Sequence, residues 1–277
     1  MCTSGTTIGR IGSAVGNGED LWTLTKKALN DFGSVHDIGG IIAATFSNPR
    51  RFPSLAVQVA DYLGLGHDIP AFDLQMACSA YPYAVYLAGK MAADTQKKVL
   101  VVNGDVQSRL VDKNDHATGS IFSDAVCVTE VGANEAKSYW SFYSKYDEAL
   151  ECGALGPIKM DGMKVFSFVA TEVSRELKAF IAATPASQSK DLSFAPHQAN
   201  PYMIRQLAKA IGMESCTLTL PEELKNPGSA SIPLAIKLNR SRLVGLKDHE
   251  LLLAGFGAGY SAAFGLVSLS TAQEVGA

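Results

Sequence analysis

One pattern of spacing occurs twice in this chain, and it constrains the fold more than any figure of composition. A helix-like apolar segment at Leu55–Leu63 ends on Gly64, and fourteen residues later the chain reaches Cys78. A second such segment at Tyr202–Ile211 ends on Gly212, and fourteen residues later the chain reaches Asn226. Each landing residue follows a short apolar run and precedes an alanine-containing helical pattern with a proline in it, Pro82 in one case and Pro233 in the other. Self-similarity of this kind marks a duplicated supersecondary unit. Two such units, packed about a pseudo-twofold axis, would set Cys78 and Asn226 face to face. They would do so in a crevice at the carboxyl ends of strands, where α/β sheets bind ligands.

The segments around these units alternate in type. Gly39–Phe46, Ile69–Leu74, Lys98–Val102 and Ile121–Val131 read as strands, and the continuous apolar run Lys98–Val102 suits a buried parallel sheet. Pro53–Leu63 opens with a proline suited to a helix start, and Ser79–Met91 and Asp20–Phe32 carry helical spacing. A long amphipathic helix is expected over Asp161–Ala183. The order then restarts with strand Leu192–Ala195, helix Tyr202–Ile211, strand Cys216–Leu220 and helix Ser231–Leu238. His249–Ala254 and Ala262–Leu269 form a closing strand pair. The expected organisation is an α/β chain of two βαβαβ-type halves, 1–150 and 151–277. The unpatterned stretch Tyr143–Met160 reads as a loop or lid over the site and as the boundary between halves.

Composition excludes several classes. Net charge is −3 with no basic block, which argues against nucleic-acid binding. The five cysteines are odd in number and irregular in spacing, with no CxxC and no His/Cys pair at zinc-ligand spacing. Free thiols in a reducing cytoplasm fit them better than a disulfide framework, and neither metal nor cofactor is implied. Residues 1–17 make a poor signal peptide, and no apolar run reaches the roughly 18 residues of a membrane span.

Cys78 is fed by the strand ending at Leu74 and opens a helix, so its sulfur would sit near the positive end of a helix dipole that favours thiolate. Taken alone, it reads equally as a buried cysteine acting as a small hydrophobe. His197 follows the apolar run Phe194-Ala195-Pro196, where its ring could enter a crevice and donate to a developing oxyanion. Asn226 lies in Asn226-Pro227-Gly228, by itself a turn signal, and would supply a neutral donor. Phe256-Gly257-Ala258-Gly259-Tyr260 forms a glycine turn whose backbone N–H groups could join that of Cys78 in an oxyanion hole.

At these segments the sequence resembles the β-ketoacyl-acyl-carrier-protein synthase III family of thiolase-fold condensing enzymes. The resemblance is carried by Ala77-Cys78-Ser79, His197-Gln198-Ala199-Asn200, Asn226 ahead of Ser229-Ala230-Ser231-Ile232-Pro233, and Phe256-Gly257-Ala258-Gly259. Met160-Asp161-Gly162 also resembles the start of that family's central helix. The resemblance implies a layered α-β-α-β-α arrangement of two pseudo-symmetric halves. It implies decarboxylative condensation of an acyl group on Cys78 with a malonyl thioester held by His197 and Asn226. The N–H groups of Cys78 and Ala258 would form the oxyanion hole. Phe52 matches a position that reaches the partner subunit's acyl pocket, so a homodimer is expected. Arg205 and Lys209, four apart on one helix, are the expected docking ridge for acidic acyl carrier protein. Acyl carrier protein and acyl-CoA both stay open as donors.

Departures from the family pattern carry expectations too. The opening strand reads as missing or reduced to Thr6–Ala14, and Ala80 replaces a common glycine. A glycine-rich string is replaced by Ser123-Asp124-Ala125-Val126-Cys127. A divergent member of a specialised pathway is one outcome. A non-decarboxylative acyltransferase and a non-catalytic partner subunit are the alternatives.

Overall fold

A computed structural model describes residues 1–154, 156–189, 191–243 and 249–270. The first half runs β1 (Cys2–Val15), α1 (Leu21–Phe32), β2 (Ile38–Ala44), α2 (Leu55–Tyr62), β3 (Ala71–Leu74), α3 (Ala80–Thr95), β4 (Lys98–Val106) and β5 (Asp124–Asp147). A short hairpin of β6 (Leu150–Cys152) and β7 (Ile158–Met160) follows. The second half runs α4 (Gly162–Phe168), α5 (Ser174–Ala182), β8 (Leu192–Pro196), α6 (Pro201–Ile211), α7 (Ser231–Leu238), α8 (Arg240–Leu243), β9 (Glu250–Gly257) and β10 (Gly259–Leu269). A π-helical turn at Val169–Val173 joins α4 to α5, so the expected long helix is one continuous rod. Asp161 caps it by accepting a hydrogen bond from the Lys164 N–H.

Eight strands form one sheet in the order β3-β2-β4-β5-β1-β10-β9-β8. The apolar side chains sort into three buried clusters, and these define five layers. One cluster packs α1 and α2 on β2 and β4. Another packs α4, α5 and α6 on β8, β9 and β10. The third lies between the two halves of the sheet and is filled by α3 and α7. A helix covered on both sides must be apolar all round and narrow. Accordingly α3 buries Ala80, Ala84, Ala88 and Ala92 together with Tyr81 and Val85. A methyl group on Gly89 would meet Thr6 Oγ1 at 2.2 Å, so β1 lies directly against this helix. This is the thiolase-like α-β-α-β-α fold.

Three expectations are corrected. The opening strand is neither missing nor confined to Thr6–Ala14. β1 spans Cys2–Val15 near the middle of the sheet, parallel to β10 and antiparallel to β5, and residues 16–20 alone separate it from α1. Tyr143–Met160 is not an irregular loop. Its first part is the end of β5, where Tyr143 pairs with Ala262, and the rest holds the β6–β7 hairpin. Finally, Cys216–Leu220 is not a strand. Cys216 ends a 3-10 turn, and only Thr217 bridges to Phe194. The Gln198 side chain takes the strand partner's place. Its Nε2 donates to Leu218 O at 3.1 Å, and its Oε1 accepts from Leu220 N–H at 3.1 Å.

The duplication is visible in the backbone. Gly64 and Gly212, which follow α2 and α6, both adopt left-handed conformations, with φ of 63° and 71°. A 3-10 turn then precedes each central helix, Ala77–Ser79 before α3 and Gly228–Ala230 before α7. Their first residues, Ala77 and Gly228, have φ of 43° and 57°. Matching turn to turn sets Cys78 opposite Ser229, with Asn226 three residues ahead in the loop.

Candidate active site

The Cys78 turn rests on β9. A methyl group on Gly257 would lie 2.8 Å from Cys78 Cβ, and one on Gly255 would lie 2.9 Å from Ser79 O. The glycines of this strand therefore admit the nucleophile turn itself. Ser79 Oγ and Ser261 Oγ, 2.7 Å apart, tie the turn to β10. Cys78 lies on the wall of a cavity of about 1180 Å³, together with Phe46, Met76, Gln107, Phe122 and Ala258. Leu150, Cys152 and Ile158 of the hairpin also face it, so the stretch expected to cover the site does line the site.

Burial dominates the chemistry of the thiol. It pushes Cys78 up to about 12, and the nearby Asp105 charge adds to this, while the turn's own backbone N–H opposes it weakly. The helix-dipole expectation thus gives way to desolvation. Burial favours the thiol over the thiolate at Cys78.

His197 is buried, and burial lowers its pKa to about 3, so the ring is neutral at ordinary pH. Its tautomer follows from its neighbour. Ser231 Oγ accepts a hydrogen bond from Gln198 N–H at 3.3 Å and lies 2.7 Å from His197 Nδ1. Nδ1 is the one acceptor within reach of the Ser231 hydroxyl among the described residues, so that proton goes to Nδ1 and Nε2 carries the ring's N–H. The ring packs edge-on to Phe256 at 5.4 Å, one residue before Gly257. Gln198 staples the loop to Pro196 O and Leu218 O, and Asn200 caps α6 through Met203 N–H.

Asn226 is held on all sides. Its N–H donates to Ile121 O, and its carbonyl accepts from Ser123 N–H and from Gln107 Nε2, both at 3.0 Å. Its Oδ1 accepts from Gly228 N–H at 3.0 Å, which orients the amide with Nδ2 as the remaining donor. Ser123, standing where the family string has a glycine, donates its hydroxyl to Leu224 O at 2.6 Å. Neither His197 nor Asn226 is part of the cavity wall. His197 packs on Phe256, next to the Gly257 that Cys78 rests on, and Asn226 is bonded to Gln107 of the cavity wall.

Asp105 was not singled out from the sequence and is the hub of this region. It is fully buried. Thr45 Oγ1 and Phe46 N–H donate to its Oδ1 at 3.0 and 2.9 Å, and Ser229 donates to Oδ2 from Oγ at 2.7 Å and from N–H at 3.3 Å. Burial raises its pKa despite these donors. It joins the end of β2 to the turn before α7. A carboxylate three residues beyond the apolar run Val99–Val102 is the signal that could have found it.

Comparison with known proteins agrees with this geometry. Residues 72–147 match the model of 3-oxoacyl-[acyl-carrier-protein] synthase III, and residues 186–269 match the model of its C-terminal region. The β-ketoacyl-[acyl-carrier-protein] synthase III of Rickettsia rickettsii is 31% identical over 250 residues, covering 84% of this chain and 78% of that protein. The chain belongs to the 3-oxoacyl-[acyl-carrier-protein] synthase III family. A 3-oxoacyl-(acyl-carrier protein) synthase from Burkholderia xenovorans has the same fold, with a TM-score of 0.86 at 23% identity over 98% of this chain and 96% of that one. The synthase III from Pseudomonas aeruginosa gives 0.82 at 21% identity over 96% and 98%. As a member of the synthase III family, the chain carries the scaffold of condensing enzymes that handle acyl thioesters.

The other expected positions are widely placed. Ala258 shares the cavity wall with Cys78. Phe52 is 85% exposed, next to Arg51 on the cavity wall. Arg205 and Lys209 lie together on the exposed face of α6. Among the described residues no helix is long and apolar enough to cross a membrane.

Proposed function

We propose that this chain catalyses decarboxylative condensation of an acyl group carried on Cys78 with a malonyl thioester. The observation that carries the reading is a buried thiol, Cys78, on the wall of a large cavity shared with Ala258, in a chain that also holds a buried neutral His197 and an Asn226 amide fixed with Nδ2 as its donor. Cys78 sulfur attacks an acyl thioester carbonyl, and the N–H groups of Cys78 and Ala258 hold the oxyanion. The departing thiolate takes the Cys78 proton, which suits a thiol whose pKa burial raises. The malonyl carboxylate then leaves as carbon dioxide. Its electron pair moves into an enolate held by His197 Nε2–H and Asn226 Nδ2–H, two donors that add no charge. The enolate carbon attacks the acyl carbonyl, the carbon–sulfur bond breaks with its electron pair on sulfur, and the Cys78 thiolate takes a proton from solvent.

Two further parts complete the reading. Phe52 from a second copy enters the cavity of the first, so the working unit is a homodimer. Arg205 and Lys209 meet the acidic surface of a carrier protein. Intact-protein mass spectrometry after incubation with acyl thioesters tests the first step and should show one acyl adduct, absent from Cys78→Ala. Carbon dioxide released from malonyl thioester by acylated enzyme, and lost in His197→Ala and Asn226→Ala, tests the second. An adduct without carbon dioxide would make the protein a simple acyltransferase. No adduct at all would make it a non-catalytic partner subunit.

A further inference from the structure

Gln107 lies on the wall of the cavity that holds Cys78, and 1% of its surface is exposed. Its Nε2 donates two hydrogen bonds, to Ser123 O at 2.9 Å and to Asn226 O at 3.0 Å. Those two carbonyls fix the amide orientation, because a flip would set Oε1 against both of them. Oε1 is therefore the group left over, and it has no hydrogen-bond partner among the described residues. A buried acceptor without a partner loses its hydration with nothing in return. Phe46, Met76 and Phe122 share this wall with it, as do Gln75 and Ser261. A leucine or methionine would fill the position without that loss.

We infer that Gln107 is a specificity residue, whose Oε1 receives a hydrogen-bond donor, a hydroxyl or N–H, presented by the thioester bound at Cys78. This deepens the reading of Cys78 as an acyl carrier and rests on it. Two parts of a thioester can present such a donor. One is the acyl group, as a hydroxyl on its chain. The other is the thiol arm, as an amide N–H. A site built to receive a donor rejects the analogue that lacks it more sharply than an apolar pocket rejects an added methyl group.

The test measures the rate of Cys78 acylation by intact-protein mass spectrometry, in wild type and in Gln107→Met. One arm uses N-acetylcysteamine thioesters with a hydroxyl at C2, C3 or C4 of the acyl chain, each matched by a methyl group at the same carbon. The other arm presents one alkyl acyl group on N-acetylcysteamine or on butanethiol, which has no amide. We expect a preference of roughly five- to tenfold for the donor-bearing member in one arm, abolished in Gln107→Met. Preference in the first arm assigns the donor to the acyl chain, and preference in the second assigns it to the thiol arm. The wild-type ratios stand whether or not the variant folds. Acylation without discrimination in either arm overturns the inference and leaves the condensing reading intact. No acylation by any thioester overturns both.

Discussion

Gly257 offers the sharpest test of how the nucleophile is placed. Its Gly257→Ala variant adds one methyl group at a residue with no positive φ, so the effect is steric. The added carbon would lie 2.8 Å from Cys78 Cβ and 3.6 Å from Cys78 Sγ. Carbon atoms in contact prefer about 3.5–4.0 Å, so the turn must retreat by roughly 1 Å. Overpacking of this size costs about 1–3 kcal/mol. At about 2–4 °C per kcal/mol for a large domain, melting should fall by roughly 2–12 °C. A displacement near 1 Å at a reacting atom lowers rate by on the order of 10²-fold. The assay pairs thermal unfolding with the rate of acyl-adduct formation at Cys78. Gly132→Ala is the control, since its new carbon would meet Thr7 Cγ2 at an ordinary 3.4 Å. Wild-type acylation and melting in Gly257→Ala would refute the claim that this strand sets the position of the thiol.

Asp105→Asn should destabilise by about 1–3 kcal/mol, because an amide Nδ2 meets the two Ser229 donors. It should also speed alkylation of folded Cys78 by iodoacetamide at fixed pH, since the Asp105 charge raises the thiol pKa; slower or unchanged alkylation would contradict this. His197 has a folded pKa near 3 against an ordinary value of 6.5. Between those values the unfolded chain binds more protons, so His197 makes stability fall as pH drops through that window, with a slope approaching about 1.4 kcal/mol per unit. The slope should be shallower in His197→Gln by urea unfolding at several pH values. Arg205→Glu with Lys209→Glu should raise KM for a carrier-protein donor and flatten its salt dependence, with kcat and melting unchanged.

Much of this was legible in the sequence because the relevant signals are local. Helical spacing, the glycines after α2 and α6, and the apolar runs of β2, β4 and β9 located most elements, whereas Pro53 lies ahead of α2, which starts at Leu55 behind a Ser54 cap. Cys78 and His197 were legible as strand-to-helix residues. The errors came where a distant group decides. The Cys216–Leu220 strand fails because the Gln198 side chain, about twenty residues earlier, satisfies its backbone. The matched spacing led to Asn226, whereas the turn equivalent to that of Cys78 centres on Ser229, since the loop before it is three residues longer in reach. Thiolate stabilisation by the helix was a local argument, and burial by the second sheet half overrode it. Asp105 and Gln107 gain their meaning from partners far along the chain, Ser229 and Asn226, each more than 100 positions away.

The length of β5 has a consequence for how the two halves depend on one another. Its first part, from Asp124, pairs with β4 and β1, while Tyr139–Asp147 pairs with β10. The dependence runs both ways, because β10 has Tyr139–Asp147 of β5 and Thr7–Ile8 of β1 along one flank. A fragment of residues 1–147 would bare β1 and the end of β5, and a fragment beginning at Leu150 would bare the length of β10. Such edges recruit other chains. Each half is thus the cover that keeps the other from sticking to strangers.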